Sequence, residues 1–398
     1  MRTAGAVIIG GGVVGSSIAF HLLEDGFKGG VLVVERDPTY ARASSRLAMG
    51  GIRQQFGTAV NIALVQRSIP FWRSFDERMG GAGDRPRSNF RQRGYLFLVK
   101  HDQVPDFERR LKHQQQLGVR VERLGVAEVS RRLPDLALED IAFGVFGPDD
   151  GYANPREVLR GFRAGAERAG ASFVEDEVVG ITRLGASGRR RVTGVRLRGG
   201  ESIDSPVIVN AAGAWAARIG EMAGIELPIR PVRQHLFRCA LPGRWPYRFP
   251  MVIDPTGVHW RHDDGDSGSE EDRIIVARTR HDEPVGENFA CDESRWSREF
   301  LPPLLARLPR FRDLRVIEGW AGLYEMTPDA NPLLGEPPTL AGFFVAAGFS
   351  GHGLMMSPAV GKALSEIIRE GRATTVDVSP LAVDRFERGA PLEDAATL

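Results

Sequence analysis

The feature that most constrains the fold is a glycine-rich turn close to the N-terminus. Residues 6–9 (AVII) are a short apolar run, as expected of a buried parallel strand. The next residues, GGGVVG, place Gly10, Gly12 and Gly15 in G-x-G-x-x-G spacing ahead of a predicted helix, SSIAFHLLEDG. The first glycine permits a tight turn, the second lets a pyrophosphate approach the backbone, and the third lets helix and strand pack closely. The sequence therefore predicts a dinucleotide site, rather than a purely structural turn.

A second strand strengthens this prediction. The segment GVLVVERD (30–37) is apolar and reaches Glu35, 20 residues after Gly15. A carboxylate at this position can accept hydrogen bonds from ribose hydroxyls. Its charge also disfavours a 2′-phosphate, so an NADP-type cofactor is not expected.

Three later segments favour FAD over NAD. The loop RASSRLAMGGIRQQFG (42–57) replaces the further strand–helix crossovers that NAD-binding domains normally have, and its Arg42, Ser44 and Ser45 can line a phosphate or ribityl chain. Much later, SPVIVNAAGAWA (205–216) is an apolar strand that ends in small residues. Finally, GFFVAAGFSGHG (342–353) is another apolar strand followed by a glycine turn and a predicted helix.

This pattern resembles the FAD-dependent oxidoreductases of the D-amino acid oxidase superfamily, in the branch of sarcosine oxidase, glycine oxidase and dimethylglycine dehydrogenase. The resemblance covers nearly the whole chain. It is carried by VIIGGGVVGSSIAFHL, SSRLAMGGIRQQ, VIVNAAGAW, GLYEMTPDANPLLG and GFSGHGLMMSPAVGKAL. It implies an α/β (α+β) fold in which a Rossmann-like FAD-binding domain is joined to a second, mainly antiparallel-sheet substrate domain.

Both domains are expected to be discontinuous in sequence. The FAD-binding domain is predicted at 1–80, 145–220 and 325–398, and the substrate-binding domain at 81–144 and 221–324. RGYLFLVK and DRIIVARTR are the clearest strands of the substrate-binding domain. The polar stretch RHDDGDSGSEEDR (261–273) lacks regular calcium-loop spacing, so we interpret it as a hairpin loop and predict no metal site.

The resemblance also implies which residues bind the cofactor. The cysteine that carries flavin covalently in monomeric sarcosine oxidase corresponds to Gly322 here, so FAD is expected to be non-covalent. The expected FAD-binding residues are Gly10, Gly12, Val13, Val14, Gly15, Glu35, Arg36, Arg42, Ser44, Ser45, Gly50, Gly51, Val179, Ala212, Gly213, Trp215, Gly322, Gly348, Ser350, Gly351, His352, Gly353, Leu354 and Met355.

The last of these segments places a histidine between two glycines. We expect the glycines to bring the backbone against the flat flavin ring and His352 to project to one side of it. Ser357 can cap the following helix and Pro358 suits its first position. The helix N-terminus carries about half a positive charge, which would stabilise an anionic reduced flavin.

Three residues are expected to be catalytic. The resemblance implies that Arg53 pairs with a substrate carboxylate and that Tyr324 and His352 face the substrate. A guanidinium matches a carboxylate in bidentate fashion, which supports the role of Arg53. Two lysines of sarcosine oxidase are replaced, one by Met355 and the other, in a looser alignment, by Ile275. With one cationic anchor and two methionines nearby, a larger or more apolar substrate than sarcosine is expected.

The predicted reaction is FAD-dependent oxidation of the Cα–N bond of an amino acid or N-substituted amino acid, giving an imine that hydrolyses. The electron acceptor is O₂ or an unknown acceptor. One alternative is a 2-hydroxy acid dehydrogenase, with His352 as the base. The other is a non-catalytic flavoprotein assembly factor, because GGIRQQFG also resembles a mitochondrial oxidoreductase-like protein linked to respiratory-complex assembly.

Composition excludes several other classes. The net charge of the 398 residues is +1, which gives no reason to expect nucleic acid or an anionic membrane as partner. The two cysteines, Cys239 and Cys291, do not suggest a disulfide scaffold. No apolar run reaches membrane-spanning length and no signal peptide is recognised, so a cytoplasmic location is expected. A homo-oligomer or a partner subunit is possible in this branch.

Overall fold

The computed structural model describes residues 2–81, 85–185, 190–263, 271–280 and 282–392. The strands are β1 (Arg2–Thr3), β2 (Ala6–Ile9), β3 (Val31–Glu35), β4 (Gly51–Ile52), β5 (Tyr95–Lys100), β6 (Glu122–Leu124), β7 (Ile141–Gly147), β8 (Gly151–Tyr152), β9 (Ser172–Glu175), β10 (Val178–Leu184), β11 (Arg190–Leu197), β12 (Ser202–Asp204), β13 (Ile208–Asn210), β14 (Arg230–Ala240), β15 (Met251–Ile253), β16 (Val258–His262), β17 (Arg273–Arg278), β18 (Arg315–Met326), β19 (Leu333–Gly335), β20 (Leu340–Ala341) and β21 (Phe343–Ala347).

The α-helices occur between these strands. They are α1 (Val13–Glu24), α2 (Ser44–Leu47), α3 (Ala59–Arg73), α4 (Phe75–Arg78), α5 (Val104–Gln116), α6 (Val126–Arg132), α7 (Pro155–Arg168), α8 (Ala216–Ala223), α9 (Leu301–Arg307) and α10 (Gly353–Glu370). Shorter 3₁₀ or π turns cover His101–Gln103, Gly213–Trp215, Trp296–Phe300, Pro309–Asp313 and Ser379–Leu381.

A six-stranded sheet organises the dinucleotide half in the order β19-β21-β13-β2-β3-β9. All of its pairs are parallel except β19 with β21. Side chains alternate between its faces: Ala6 and Ile8 join a core with helices α1, α3 and α10. Val7 and Ile9 pack on the opposite face, against the smaller sheet built from β10, β11 and β12. Burial on both faces explains why AVII is apolar throughout.

An eight-stranded sheet forms the other half, in the order β18-β14-β17-β16-β15-β5-β7-β6. Only the β15–β5 pair is parallel, so the sheet is mainly antiparallel, as expected. Strands β7 and β18 of this sheet span the predicted domain boundaries at 144/145 and 324/325. The polar stretch 261–273 falls mostly outside the described residues, at 264–270.

The two faces of the eight-stranded sheet have different roles. On strand β16, Val258 and Trp260 join an apolar core with helices α6 and α9. The alternate residues on that strand, His259 and Arg261, lie on the opposite face, which is turned towards the dinucleotide half. This second face carries the candidate site.

The start of helix α10 differs from the prediction. The helix begins at Gly353, with His352 as its N-cap, so Ser357 and Pro358 lie inside the helix. Proline has no backbone N–H and leaves the carbonyl four residues earlier, on Leu354, without its usual helical donor. The hydroxyl of Ser357 donates to the Leu354 carbonyl at 2.8 Å, which satisfies that oxygen. The Ser-Pro pair is therefore accommodated within the helix.

Candidate active site

The glycine turn has the geometry that its sequence predicts. Gly10 has φ of +99°, and a Cβ there would lie 2.6 Å from the Ala211 carbonyl oxygen. A Cβ on Gly15 would lie 2.0 Å from the Gly10 carbonyl oxygen, so Gly15 serves helix–strand packing and does not line the cavity. The turn leads into the N-terminus of α1, where the N–H of Val13 donates to Ser45 Oγ at 3.1 Å.

Glu35 closes this turn from the end of β3. Its Oε2 accepts the Gly11 N–H at 2.8 Å and its Oε1 accepts the Asp37 N–H at 2.9 Å. Burial raises the pKa of the Glu35 carboxyl, while the two backbone donors and Arg36 act in the opposite direction. The carboxylate is thus held rigidly at the wall of a cavity.

That cavity has a volume of about 480 Å³ and lies along the carboxyl ends of β2, β3 and β13. Its wall contains Trp215, with the Arg36 guanidinium 3.9 Å from the ring centroid. The indole Nε1 of Trp215 is buried and has no hydrogen-bond partner among the described residues. A buried donor of this kind favours a ligand that brings acceptors. The residues present therefore fit an adenine dinucleotide.

A second cavity, of about 150 Å³, adjoins the first between the two halves of the protein. The residues that line both cavities are Val13, Val14, Ser44, Ser45 and Glu325. The two cavities are therefore neighbours that share part of their walls.

The loop around α2 is fixed between the two cavities by bonds to the eight-stranded sheet. Ser44 Oγ donates to the Leu323 carbonyl at 2.7 Å. The indole of Trp320 donates to the Leu47 carbonyl at 3.0 Å. The loop is therefore held to strand β18 at two points.

Arg53 is the buried cation of the second cavity, with 1% of its surface exposed. Its Nη1 donates to the Gln55 carbonyl, and its guanidinium lies 4.2 Å from the centroid of the Phe56 ring. Its Nη2 lies 3.3 Å from Nε2 of His352. These contacts place Arg53 and His352 together, as expected from the sequence.

A buried carboxylate positions the Arg53 loop. Asp150 accepts the backbone N–H and the side-chain Nε2 of Gln54, and the Nε2 of Gln55 at 3.0 Å. Burial raises the pKa of Asp150 to about 6, with the glutamine donors and Arg53 opposing that rise. Because it receives three hydrogen bonds from residues adjacent to Arg53, Asp150 restrains the backbone on which the guanidinium depends.

His352 is held beside Arg53 by a glycine turn. Gly351 has φ of +93°, and a Cβ there would lie 2.5 Å from the Tyr324 ring. The imidazole packs edge-on against Phe56 with ring centroids 5.0 Å apart. Burial and then the Arg53 charge lower the pKa of His352 to about 3, so this imidazole is neutral at physiological pH. Gly351 thus allows Tyr324 and His352 to share one wall.

Glu325 follows Tyr324 and lies where the two cavities meet. Its Oε2 accepts the Gly348 N–H at 3.0 Å. Burial raises the pKa of Glu325 to about 7, with the backbone donors of Gly348 and Phe349 opposing it. No ion-pair partner for this carboxylate is found within the described ranges.

Most of the expected site residues line one of the two cavities. The exceptions are Gly15, Gly348 and Val179. Gly348 supports the turn, because its N–H bonds Glu325 and a Cβ would lie 2.5 Å from Thr327. The side chain of Val179 is 36% exposed, and its neighbour Val178 lines the dinucleotide cavity. The pairing of β10 with β11 shifts register between Val178 and Gly180, at this position.

Sequence reasoning missed several polar residues of the site. Tyr95, Gln234 and His259 come from separate strands of the eight-stranded sheet and line the second cavity, as does Glu325. The alternating pattern of each strand marks which residues share a face. It does not show which strands lie side by side, so no local signal could have brought these residues together.

Comparison with known proteins gives a consistent result. A family model described as "FAD dependent oxidoreductase" (DAO) matches residues 6–367. The bovine (Bos taurus) protein named FAD-dependent oxidoreductase domain-containing protein 1 is 32% identical over 98% of this chain and 86% of its own length.

Solved structures share the same fold. The L-proline dehydrogenase of P. horikoshii is 30% identical, with a TM-score of 0.88 over 98% of this chain and all of its own. The glycine oxidase of Geobacillus kaustophilus superposes with a TM-score of 0.82 over 97% of this chain and 99% of its own, at 24% identity. In the part of the chain that the structure describes, no helix has the length and apolar character needed to cross a membrane.

Proposed function

The chain belongs to the DAO family of FAD-dependent oxidoreductases, and from that premise we propose that it oxidises the Cα–N bond of an amino acid or N-substituted amino acid. The family, the fold class, the cofactor and the enzyme class predicted from the sequence are confirmed. The substrate and the role of each site residue go beyond that and are our proposal.

One observation carries the proposal: a buried guanidinium, Arg53, lines a small cavity that shares lining residues with the dinucleotide cavity. A guanidinium that lines a cavity can bind an anionic group of a ligand that enters it. A carboxylate fits, because its two oxygens match the guanidinium in a bidentate pair. An amino acid bound through its carboxylate would hold its Cα in one orientation, which is the main requirement for a rapid transfer.

Residues of this chain would hold the cofactor on both sides of the domain boundary. The glycine turn, Glu35 and Trp215 would bind its adenine dinucleotide part, and the first turn of α10 would face its ring system. Bound FAD supplies the two-electron acceptor for the substrate. The positive end of α10, which begins at Gly353, favours negative charge developing beside it.

The cavity also controls the protonation state of the substrate nitrogen. The amine is reactive in its neutral form, and burial disfavours an ammonium ion. His352 is neutral, so it adds no positive charge beside the amine. Much of the remaining wall is apolar and is formed by Leu47, Met49, Leu236 and Met355. This supports a substrate with an apolar side chain or N-substituent.

The names of the similar proteins support this substrate class. One is an L-proline dehydrogenase and another a glycine oxidase, and both names describe oxidation of amino acids at nitrogen-bearing carbon. The hydroxy-acid alternative needs His352 as a base. Its Nε2 already faces an Arg53 donor at 3.3 Å, so that nitrogen is occupied.

Anaerobic mixing with a panel of acids tests the proposal. Amino and N-alkyl amino acids should bleach the flavin absorption, and the corresponding 2-hydroxy acids should not. Bleaching by hydroxy acids alone would replace the proposal with the hydroxy-acid alternative. Absence of bleaching by any carboxylic acid would favour a non-catalytic flavoprotein.

A further inference from the structure

A histidine other than His352 lines the cavity and has no role in the proposed reaction. His259 lies on β16 and shares its face with Arg261, opposite the apolar core that contains Trp260. Its side chain is buried, and Arg53 is close enough to influence its charge. It therefore belongs to the same chamber as the proposed carboxylate anchor.

The proton arrangement of His259 follows from its backbone contact. Its Nδ1 lies 3.0 Å from the Gly257 carbonyl oxygen, which can only accept a hydrogen bond. Nδ1 must therefore carry the proton, which leaves Nε2 with an unshared electron pair. Within the described residues, no donor bonds this Nε2. Burial and then Arg53 lower the pKa of His259 to about 4, opposed by the Gly257 bond, so the neutral form prevails at physiological pH.

The other nitrogen and amide groups of the wall are already engaged. His352 Nε2 faces Arg53, and His235 Nε2 accepts the Asp292 N–H at 3.2 Å. Gln234 bonds the backbone of Arg280 through both ends of its amide. Tyrosine hydroxyls also line the cavity, but a hydroxyl can donate as well as accept and so discriminates poorly between ligands.

We propose that Nε2 of His259 accepts a hydrogen bond from the substrate nitrogen and thereby selects amines that carry an N–H. This inference rests on the proposed function. A neutral primary or secondary amine has an N–H to donate and keeps its own electron pair free for forming the C=N bond. A neutral tertiary amine has no N–H and would place its electron pair against that of the imidazole. The chamber therefore favours primary and N-monoalkyl amino acids over N,N-dialkyl ones.

A pair of non-oxidisable ligands isolates this contact. Pyrrole-2-carboxylate and furan-2-carboxylate have nearly the same shape and the same carboxylate, but the first offers an N–H where the second has an oxygen. Their affinities for the FAD-loaded protein can be measured by calorimetry and by perturbation of the flavin spectrum. We expect the pyrrole acid to bind about tenfold more tightly. The furan oxygen and Nε2 of His259 are both acceptors, so the furan acid cannot form this hydrogen bond.

Two substitutions of the same residue provide the matched control. His259→Asn keeps a group near the Nδ1 position but has no atom at Nε2, so the preference for the pyrrole acid should fall to about one. His259→Gln can place an amide oxygen near the Nε2 position and should retain most of the preference. Flavin absorption and thermal denaturation verify that both variants fold and bind FAD.

The outcomes separate this inference from the proposed function. If the wild-type protein binds neither acid, the carboxylate site at Arg53 is wrong and the proposed function fails. If it binds both equally well, the carboxylate site stands and the role of His259 is overturned. A preference for the pyrrole acid that persists in His259→Asn would also overturn it, because another group would then accept the hydrogen bond from the N–H.

Discussion

Nη2 of Arg53 lies 3.3 Å from Nε2 of His352, although 299 residues separate the two in sequence. A guanidinium has no acceptor, so the imidazole nitrogen must accept. The contact orients the guanidinium towards the cavity and keeps His352 in one tautomer. It joins the first and last thirds of the chain at the place where the substrate is proposed to bind.

Removing Arg53 should weaken substrate binding far more than it changes turnover. A charged hydrogen-bonded pair contributes about 2–4 kcal/mol, so Arg53→Ala should raise the KM for a carboxylated amine by a factor between about 30 and several hundred. Steady-state kinetics with any substrate found in the bleaching panel would measure this. Arg53→Lys is the matched variant, because it keeps the charge but loses the bidentate geometry. Its KM should lie between that of the wild-type protein and that of Arg53→Ala. An unchanged KM in Arg53→Ala would remove this residue from the site.

FAD should leave the protein when the chain unfolds. The position that carries the covalent bond in monomeric sarcosine oxidase corresponds to Gly322, and neither Cys239 nor Cys291 lines either cavity. Acid or heat denaturation followed by chromatography should yield free FAD and a colourless polypeptide. Flavin that stays with the denatured chain would contradict this prediction.

Gly351→Ala should destabilise the protein and disturb Tyr324. The backbone has φ of +93°, and the added Cβ would lie 2.5 Å from the Tyr324 ring. Gly371→Ala is the control, because Gly371 has a similar φ of +80° but no atom within 4 Å of the position that an added Cβ would take. The free energy of unfolding of Gly371→Ala should fall only by the cost of an alanine in the left-handed conformation, about 1–2 kcal/mol.

The comparison between these two variants tests the contact itself. Thermal denaturation should show a larger loss for Gly351→Ala than for Gly371→Ala, and only Gly351→Ala should weaken the binding of pyrrole-2-carboxylate. Equal losses of stability with unchanged ligand affinity would mean that the turn around Gly351 does not position the Tyr324 wall.

Glu325→Gln should change how stability depends on pH. Burial raises the pKa of Glu325 from 4.5 to about 7 in the folded protein. Between these values the native state binds more protons than the unfolded state, so this group makes stability fall as pH rises from about 4.5 to 7. The full effect is about 3 kcal/mol. A neutral glutamine removes this dependence.

The difference between the variant and the wild-type protein isolates this contribution from other titrating groups. Denaturant unfolding at several pH values measures the free energy of unfolding of both proteins. The value for Glu325→Gln relative to that for the wild-type protein should increase between about pH 4.5 and 7 and stay constant above about pH 8. A constant difference across the whole range would mean that Glu325 does not change its protonation between pH 4.5 and 7.

Local patterns predicted much of the molecule correctly. The turn at Gly10, the strand ending in Glu35, and the clearest strands of the larger sheet are all where the sequence placed them. Each depends on short-range requirements: a positive φ, an unbroken apolar run or an alternating one. The start of α10 was placed wrongly because the Ser357 hydroxyl satisfies a carbonyl that Pro358 leaves without a donor, which makes the proline tolerable inside the helix.

The sequence by itself determined that a strand, a glycine turn and a helix would bind a dinucleotide, because that function depends on backbone geometry within one short segment. Only the tertiary structure decided the composition of the substrate chamber. Tyr95, His259 and Tyr324 line one cavity because their strands belong to one sheet, and that sheet faces the dinucleotide half. Pairing between distant strands is set by the packing of whole layers, so the polar groups of the chamber have no signature in the residues next to them.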